Sequence, residues 1–148
     1  MEGDPAALSI LEPIFHALGA ITFCIEKEKK SLYHTAGVFA SNYLVTLAQQ
    51  AVDLLTQADL EKNKALIMIL RLMQGTLDQM AHCQSPKHAL TGPLQRGDLS
   101  TIKSHLLSLS DDQQRTLYSL LGNMTIPLTD HDEATTVQLK RALSTIRE

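Results

Sequence analysis

The sequence predicts a mainly α protein: a helical bundle around one long buried helix, preceded by the helix and strand of an otherwise missing α/β unit. Three observations carry this expectation. Residues Tyr33 to Gln49 form the most apolar long run in the chain, long enough for several helical turns. Downstream of it, leucine, isoleucine and methionine recur at i, i+3, i+4 spacing. Upstream, one stretch alone, Ile21 to Ile25, has the composition of a strand.

The elements follow in order. Met1 to Pro5 reads as a turn, with Asp4 as an N-cap and Pro5 at the first helical position. Leu8, Leu11, Ile14, Phe15 and Leu18 keep helical spacing, and Gly19 ends that helix. Ile21-Thr22-Phe23-Cys24-Ile25 is the expected strand, although a lone strand needs neighbours to take its backbone hydrogen bonds. Glu26 to Ser31 is a charged linker. The long helix is expected from about Leu32 to Ala58, with Asp59 as N-cap of the next. That next helix carries Leu66, Ile69, Leu70, Met73, Leu77 and Met80 on one stripe. Pro86, Gly92, Pro93 and Gly97 predict a loop over 82–97. Asp98 then caps a short helix bearing Ile102, Leu106 and Leu109. Ser110 to Gln113 reads as a capping box, and Gly122 as the end of the helix it starts. Ile126-Pro127 forces a break. The last helix opens on Asp130-His131-Asp132-Glu133 and closes on Lys140, Arg141 and Arg147, the charge order that a helix dipole favours.

Composition narrows the function classes. The chain has 148 residues, enough for a domain with a real core. Its net charge is −3, with lysines and arginines scattered and no tryptophan to stack on bases, which argues against a nucleic-acid partner. Cys24 and Cys83 are far apart and form no Cys-x-x-Cys, as expected of two reduced thiols in a cytoplasmic protein. Residues 1–12 do not resemble a secretory leader, and no apolar stretch is long enough for a bilayer, so no membrane partner is expected. His82, Cys83 and His88 are metal-ligand types, but their spacing matches no structural zinc pattern, and no metal is expected.

On an unbroken helix at roughly 100° per residue, His34, Ser41 and Asn42 fall within about a quarter-turn of one another. Val38 and Val45 lie between them, Gln49 continues the face, and Gly37 leaves that side without a side chain. A helix apolar nearly all round is expected to be buried, and unpaired polar groups buried with it cost about 1–3 kcal/mol each. The three side chains therefore require partners: another part of the chain, a second copy, or a ligand.

Tyr33-His34-x-Ala36-x-Val38-Phe39-Ala40-Ser41-Asn42, followed some way downstream by Ala89-Leu90-Thr91-Gly92-Pro93-x-x-Arg96-Gly97-Asp98, resembles the C-terminal half of the uncharacterised Rossmann-like oxidoreductases, a half described as a domain of unknown function. Glu2-Gly3-Asp4-Pro5 is similar to the last β-α-β segment of that family's dinucleotide-binding domain. More distantly the arrangement is similar to pyrroline-carboxylate reductase, ketopantoate reductase, phosphogluconate dehydrogenase and the β-hydroxyacid dehydrogenases. The resemblance implies that residues 1–30 are the last helix and strand of a dinucleotide-binding domain plus a linker, and that 31–148 form an all-α substrate and dimerisation domain. NADP or NAD is the cofactor it implies for a complete homologue. No Gly-x-Gly occurs in this chain, so no cofactor is expected in the chain itself, which reads as an excised half or a stand-alone remnant.

In those relatives the equivalent helix carries a Lys and an Asn that face the substrate oxygen. His34 and Asn42 resemble that pair, with His in place of Lys, and a histidine suits proton transfer near neutrality. They are the candidate catalytic residues, with Ser41, Thr91 and Arg96 as candidate substrate-binding residues. The alternative is structural: His34 and Asn42 bond to a neighbouring helix, and Arg96 pairs locally. Arg96 has the fork that holds a carboxylate, whereas Asp98 reads as a helix cap. Two functions are expected. One is the substrate half of an NAD(P)-dependent oxidoreductase, inactive alone, taking a small-molecule substrate; the other is a non-catalytic homodimerisation or protein-interaction module. A homodimer suits both.

Overall fold

Every regular element among residues 3–144, the part of the chain that the computed structural model describes, is helical. The mainly α class is therefore as expected. The chain divides into two compact units, Met1–Leu54 and Leu55–Glu148.

The first unit begins with α1, Pro5–Ala17. Asp4 caps it, accepting from the backbone N–H of Ala6 at 2.9 Å and of Ala7 at 3.2 Å. Pro13 sits inside this helix and removes one backbone bond. Gly19 closes it at φ +80°, donating to His16 O at 2.9 Å, while Ala20 N–H reaches back to Phe15 O at 3.0 Å. That pair of bonds is the Schellman ending, which a glycine adopts without steric cost.

The strand expected at Ile21–Ile25 does not form; residues 20–26 have no regular structure. The reason is the one that made a lone strand doubtful: no neighbouring strand takes its backbone bonds among the described residues. Side chains hold the segment instead. The Thr22 hydroxyl donates to Glu12 Oε1 at 2.9 Å, and His16 Nε2 lies 2.6 Å from Thr22 Oγ1. Thr22 has one proton and gives it to Glu12, so His16 Nε2–H is the donor in the second bond.

A 3-10 turn, Lys27–Lys29, leads into α2, Lys30–Gly37. A π-helical turn, Val38–Asn42, follows directly, and α3 continues over Tyr43–Gln57. Gly37, Val38 and Tyr43 all keep right-handed helical dihedrals, so the backbone is helical from Lys30 to Gln57, close to the expected span. Its burial is not as expected. Among the described residues of the first unit, Val52 alone is buried, while Leu32, Tyr33, Phe39 and Val45 are more than half exposed and Tyr43 nearly so. A unit with one buried side chain draws almost no stability from a core of its own.

The second unit has the core. α4, Lys62–Ala81, is capped by Glu61, which accepts from Asn63 and Lys64 N–H. The expected cap, Asp59, instead has φ +64° and ends α3: Asp59 N–H bonds Thr56 O, and Leu60 N–H bonds Leu55 O. Asp replaces the usual Gly there because its short polar side chain tolerates the left-handed region. Of the α4 stripe Ile69 is buried, with Ala65, whereas Leu66, Leu70 and Leu77 stay exposed. The loop expected at 82–97 contains two short helical turns, a 3-10 turn at Pro86–Ala89 and α5 at Pro93–Arg96, each begun by its proline. α6, Leu99–Ser108, is capped by Asp98 as expected and buries Ile102 and Leu106, with Leu109 buried just after it.

α7, Asp112–Thr125, is capped by Asp111 rather than Ser110, with Gln114 N–H donating to its carboxylate at 2.8 Å. It also runs through Gly122, the expected terminator, and stops where Pro127 enters a 3-10 turn, Ile126–Leu128. Gly122 serves packing: a Cβ there would lie 2.8 Å from Leu143 Cδ2. α8, Glu133–Ser144, begins with Asp132 accepting from Thr135 N–H; Lys140 and Arg141 lie toward its end, and Arg147 is outside the described residues. Ile102, Leu106, Ile126, Leu139, Ala142 and Leu143 pack as one cluster, flanked by Leu94, Leu99 and Tyr118. Among the described residues no helix is long and apolar enough to cross a membrane.

Candidate functional site

The π turn falls on the polar residues of the long helix. Tyr43 N–H donates to Val38 O, five residues back, so one residue more than an α-helical turn is accommodated. An inserted residue sets the following helix back by roughly 100°. His34 and Asn42, about 80° apart on an uninterrupted helix, are drawn toward one side while staying about two turns apart along the axis, and Ser41 turns away from His34. The expected line of three is therefore redrawn, with His34 and Asn42 toward one side and Ser41 off it. π turns of this kind recur at functional sites, because a strained register persists where something else uses it.

His34, Ser41 and Asn42 are all exposed. Among the described residues their side chains find no hydrogen-bond partner; His34 touches the ring of Tyr33, centroid to centroid 5.5 Å. Among the described residues nothing seals this face. Gly37, one turn from His34, has open space where a Cβ would stand.

His34 also borders a cavity of about 470 Å³ enclosed by the end of α1, residues 20–25 and the start of α2. Phe15, Ile21, Phe23, Ile25 and Tyr33 supply apolar walls, and Phe23 meets Tyr33 edge-on at 6.2 Å. Lys30 and His34, at i and i+4, are the cationic and titratable groups of its lining. The double hydrogen bond of Thr22 holds the 20–25 wall against α1. Sequence reasoning did not include Lys30 or Phe23 in a site; the i, i+4 spacing of Lys30 and His34 was the signal available for it.

Thr91 and Arg96 belong to the second unit. Thr91 lines a shallower apolar cavity of about 320 Å³ with Leu94, Leu121 and the pair His105–Tyr118. His105 Nδ1 and the Tyr118 hydroxyl are 3.0 Å apart, their rings perpendicular. Burial pushes the Tyr118 hydroxyl above the ordinary phenol value. Neither residue carried a motif that would have marked it in the sequence. Arg96 is exposed at the end of α5 and does not line this cavity; its charge helps lower Asp98.

The rest of the 86–98 loop is structural. His131 Nε2–H donates to Leu94 O at 2.7 Å, and Lys87 pairs with Asp130, holding its carboxyl below the usual range. Asp98 is a cap: Thr101 Oγ1–H at 2.7 Å, Thr101 N–H and Ser100 Oγ–H all donate to it, lowering its pKa to about 2. His82 Nδ1–H is spent on Asp78 O. Among the described residues no three metal-ligating side chains gather.

A family model, Domain of unknown function (DUF2520), matches residues 1–125. The chain belongs to the DUF2520 family. The match includes both motifs, the π turn and the helices α1 to α7. No curated protein matches the chain, and no solved structure does. No Gly-x-Gly turn occurs in the sequence of this DUF2520 chain, and the described residues have no strand to lead into one.

Proposed function

We propose that this DUF2520 chain is the substrate-binding and dimerisation half of an NAD(P)-dependent oxidoreductase, with the dinucleotide held by a domain other than this one. One observation carries the reading: a π turn ending at Asn42 interrupts the helix after His34, and among the described residues neither exposed side chain has a hydrogen-bond partner. Two hydrogen-bonding side chains about two helical turns apart suit two different polar groups of one ligand. In this role Asn42 orients the substrate through one polar group and His34 gives or takes the proton at another. The cavity beside His34 receives the substrate body.

The exposed apolar side of the same helical run supports homodimerisation as the second part of the role, since Leu32, Phe39, Tyr43 and Val45 exceed what a monomer ordinarily leaves in water. Taken alone, that face equally supports a non-catalytic dimerisation module. The polar pair is what favours the enzyme half.

The decisive experiment joins the chain to the reading frame directly upstream of Met1 and titrates the product with NADPH, followed by nucleotide fluorescence. Binding, together with loss of substrate-dependent NADPH oxidation in His34→Ala and Asn42→Ala, is expected. Failure of the joined protein to bind NADPH overturns the oxidoreductase reading and leaves the dimerisation module.

A further inference from the structure

The cavity of about 320 Å³ in the second unit has no part in the reading of His34. Leu90, Pro93 and Leu94 from the 86–98 segment and Leu121 from α7 make its walls apolar. Among the described residues no carboxylate, lysine or arginine lines it. Its polar side chains are Thr91, Thr125, His105 and Tyr118. The Thr125 hydroxyl is spent on Leu121 O at 2.8 Å, whereas among the described residues the Thr91 hydroxyl has no hydrogen-bond partner. His105 and Tyr118 share one bond, 3.0 Å long.

That pair keeps a donor whichever way its bond runs. The imidazole carries at least one N–H, and the phenol, whose ionisation burial opposes, carries one O–H. One proton lies in the shared bond. At least one other remains, on Nε2 if the phenol donates and on the phenol oxygen if Nδ1 donates.

We infer that this cavity is a second binding site, for a small neutral molecule with an apolar ring or branched chain and one acceptor oxygen. The oxygen meets the His105–Tyr118 pair, and the body lies against Leu90, Leu94 and Leu121. The volume falls at the lower end of the range of small-molecule sites. Charge selects a neutral ligand: a carboxylate would leave water for an apolar lining in which, among the described residues, no lysine or arginine meets it. The wall from the 86–98 segment is set beforehand, because Pro93 fixes its own φ and His131 Nε2–H holds Leu94 O at 2.7 Å, so little ordering opposes binding.

Acetophenone is the probe and benzoate its charged counterpart of similar shape, both added to the isotope-labelled chain and followed by amide chemical shifts. Acetophenone is expected to saturate, with shifts concentrated in residues 90–94, His105 and residues 118–125. Benzoate is expected to bind roughly tenfold more weakly or worse. Replacing both donors, His105→Phe with Tyr118→Phe, should weaken acetophenone roughly threefold to tenfold, the worth of one neutral hydrogen bond, and leave α-methylstyrene, which has no carbonyl, unchanged. Equal or tighter binding of benzoate overturns the inference, as do shifts clustered elsewhere, none at millimolar ligand, or an equal loss of both ligands in the double variant. The acetophenone–benzoate comparison needs no substitution, so a variant that fails to fold does not remove the test. It needs no NADPH either, so its outcome is independent of the oxidoreductase reading.

Discussion

Replacing Gly122 with alanine adds one methyl group where the core has no room. The new Cβ would stand 2.8 Å from Leu143 Cδ2 and 2.9 Å from its Cδ1, both well inside van der Waals contact. Leu143 cannot step aside: it is fully buried among Ile102, Leu106, Leu139 and Ala142. Overpacking of this kind costs about 1–3 kcal/mol. Against it stands the higher helix propensity of alanine, a gain of about 1 kcal/mol in a helix interior. Gly75, exposed in α4 with nothing within 4 Å of its Cβ position, supplies the control, because Gly75→Ala collects the same gain without the clash. Both sites lie in the second unit, so one transition reports both. Gly75→Ala should raise stability by roughly 0.5–1 kcal/mol, and Gly122→Ala should lie about 1–3 kcal/mol below it. Urea unfolding followed by far-ultraviolet circular dichroism measures the difference as a shift in midpoint at constant slope. Equal stabilisation by the two substitutions would refute the argument, since Leu143 would then be free to yield.

Three more outcomes follow from the same geometry. Asp59→Gly should raise stability by about 0.5–1 kcal/mol in a thermal melt, because it relieves a non-glycine residue at φ +64° while keeping both bonds of the helix ending. Asp98 has a folded-state pKa of about 2, below its ordinary value, so its contribution is complete above the unfolded value near 4 and is lost as pH falls toward 2. Asp98→Asn should therefore lower the melting temperature at neutral pH and flatten its decline between pH 5 and pH 2, read by scanning calorimetry. If the proposed homodimer uses the α2–α3 face, Phe39→Asp should raise its dissociation constant by roughly a hundredfold or more in sedimentation equilibrium, and an unchanged constant would place the dimer contact elsewhere.

Much of the fold could be read from residues close together in sequence. Asp4 and Asp98 cap their helices as expected because an N-cap bonds residues two or three positions ahead. Gly19 and Pro127 end helices through their own backbone constraints. Errors arose where two nearby residues competed for one role. Asp111 outranked Ser110, and Asp59 closed α3 while Glu61 opened α4. The candidate site was legible in part. His34 and Asn42 stood out as polar residues on an apolar run, but the helical register between them is set by a π turn that no periodicity count anticipates. The His105–Tyr118 pair carried no signal, since its partners are thirteen residues apart on different helices.

The amino-acid order by itself settled that this DUF2520 chain is helical, where most helices begin and end, and which residue types line the long apolar run. Those properties depend on interactions within a turn or two, and a sequence displays them directly. Three-dimensional packing settled the rest. It made Gly122 a point of close approach to Leu143 rather than a helix end, and denied Ile21–Ile25 the neighbours a strand requires. It also left the long helix exposed and gathered Phe15, Phe23, Lys30 and His34 around one cavity. Each of these outcomes turns on atoms that meet only after the chain has folded, so no window of sequence contains them.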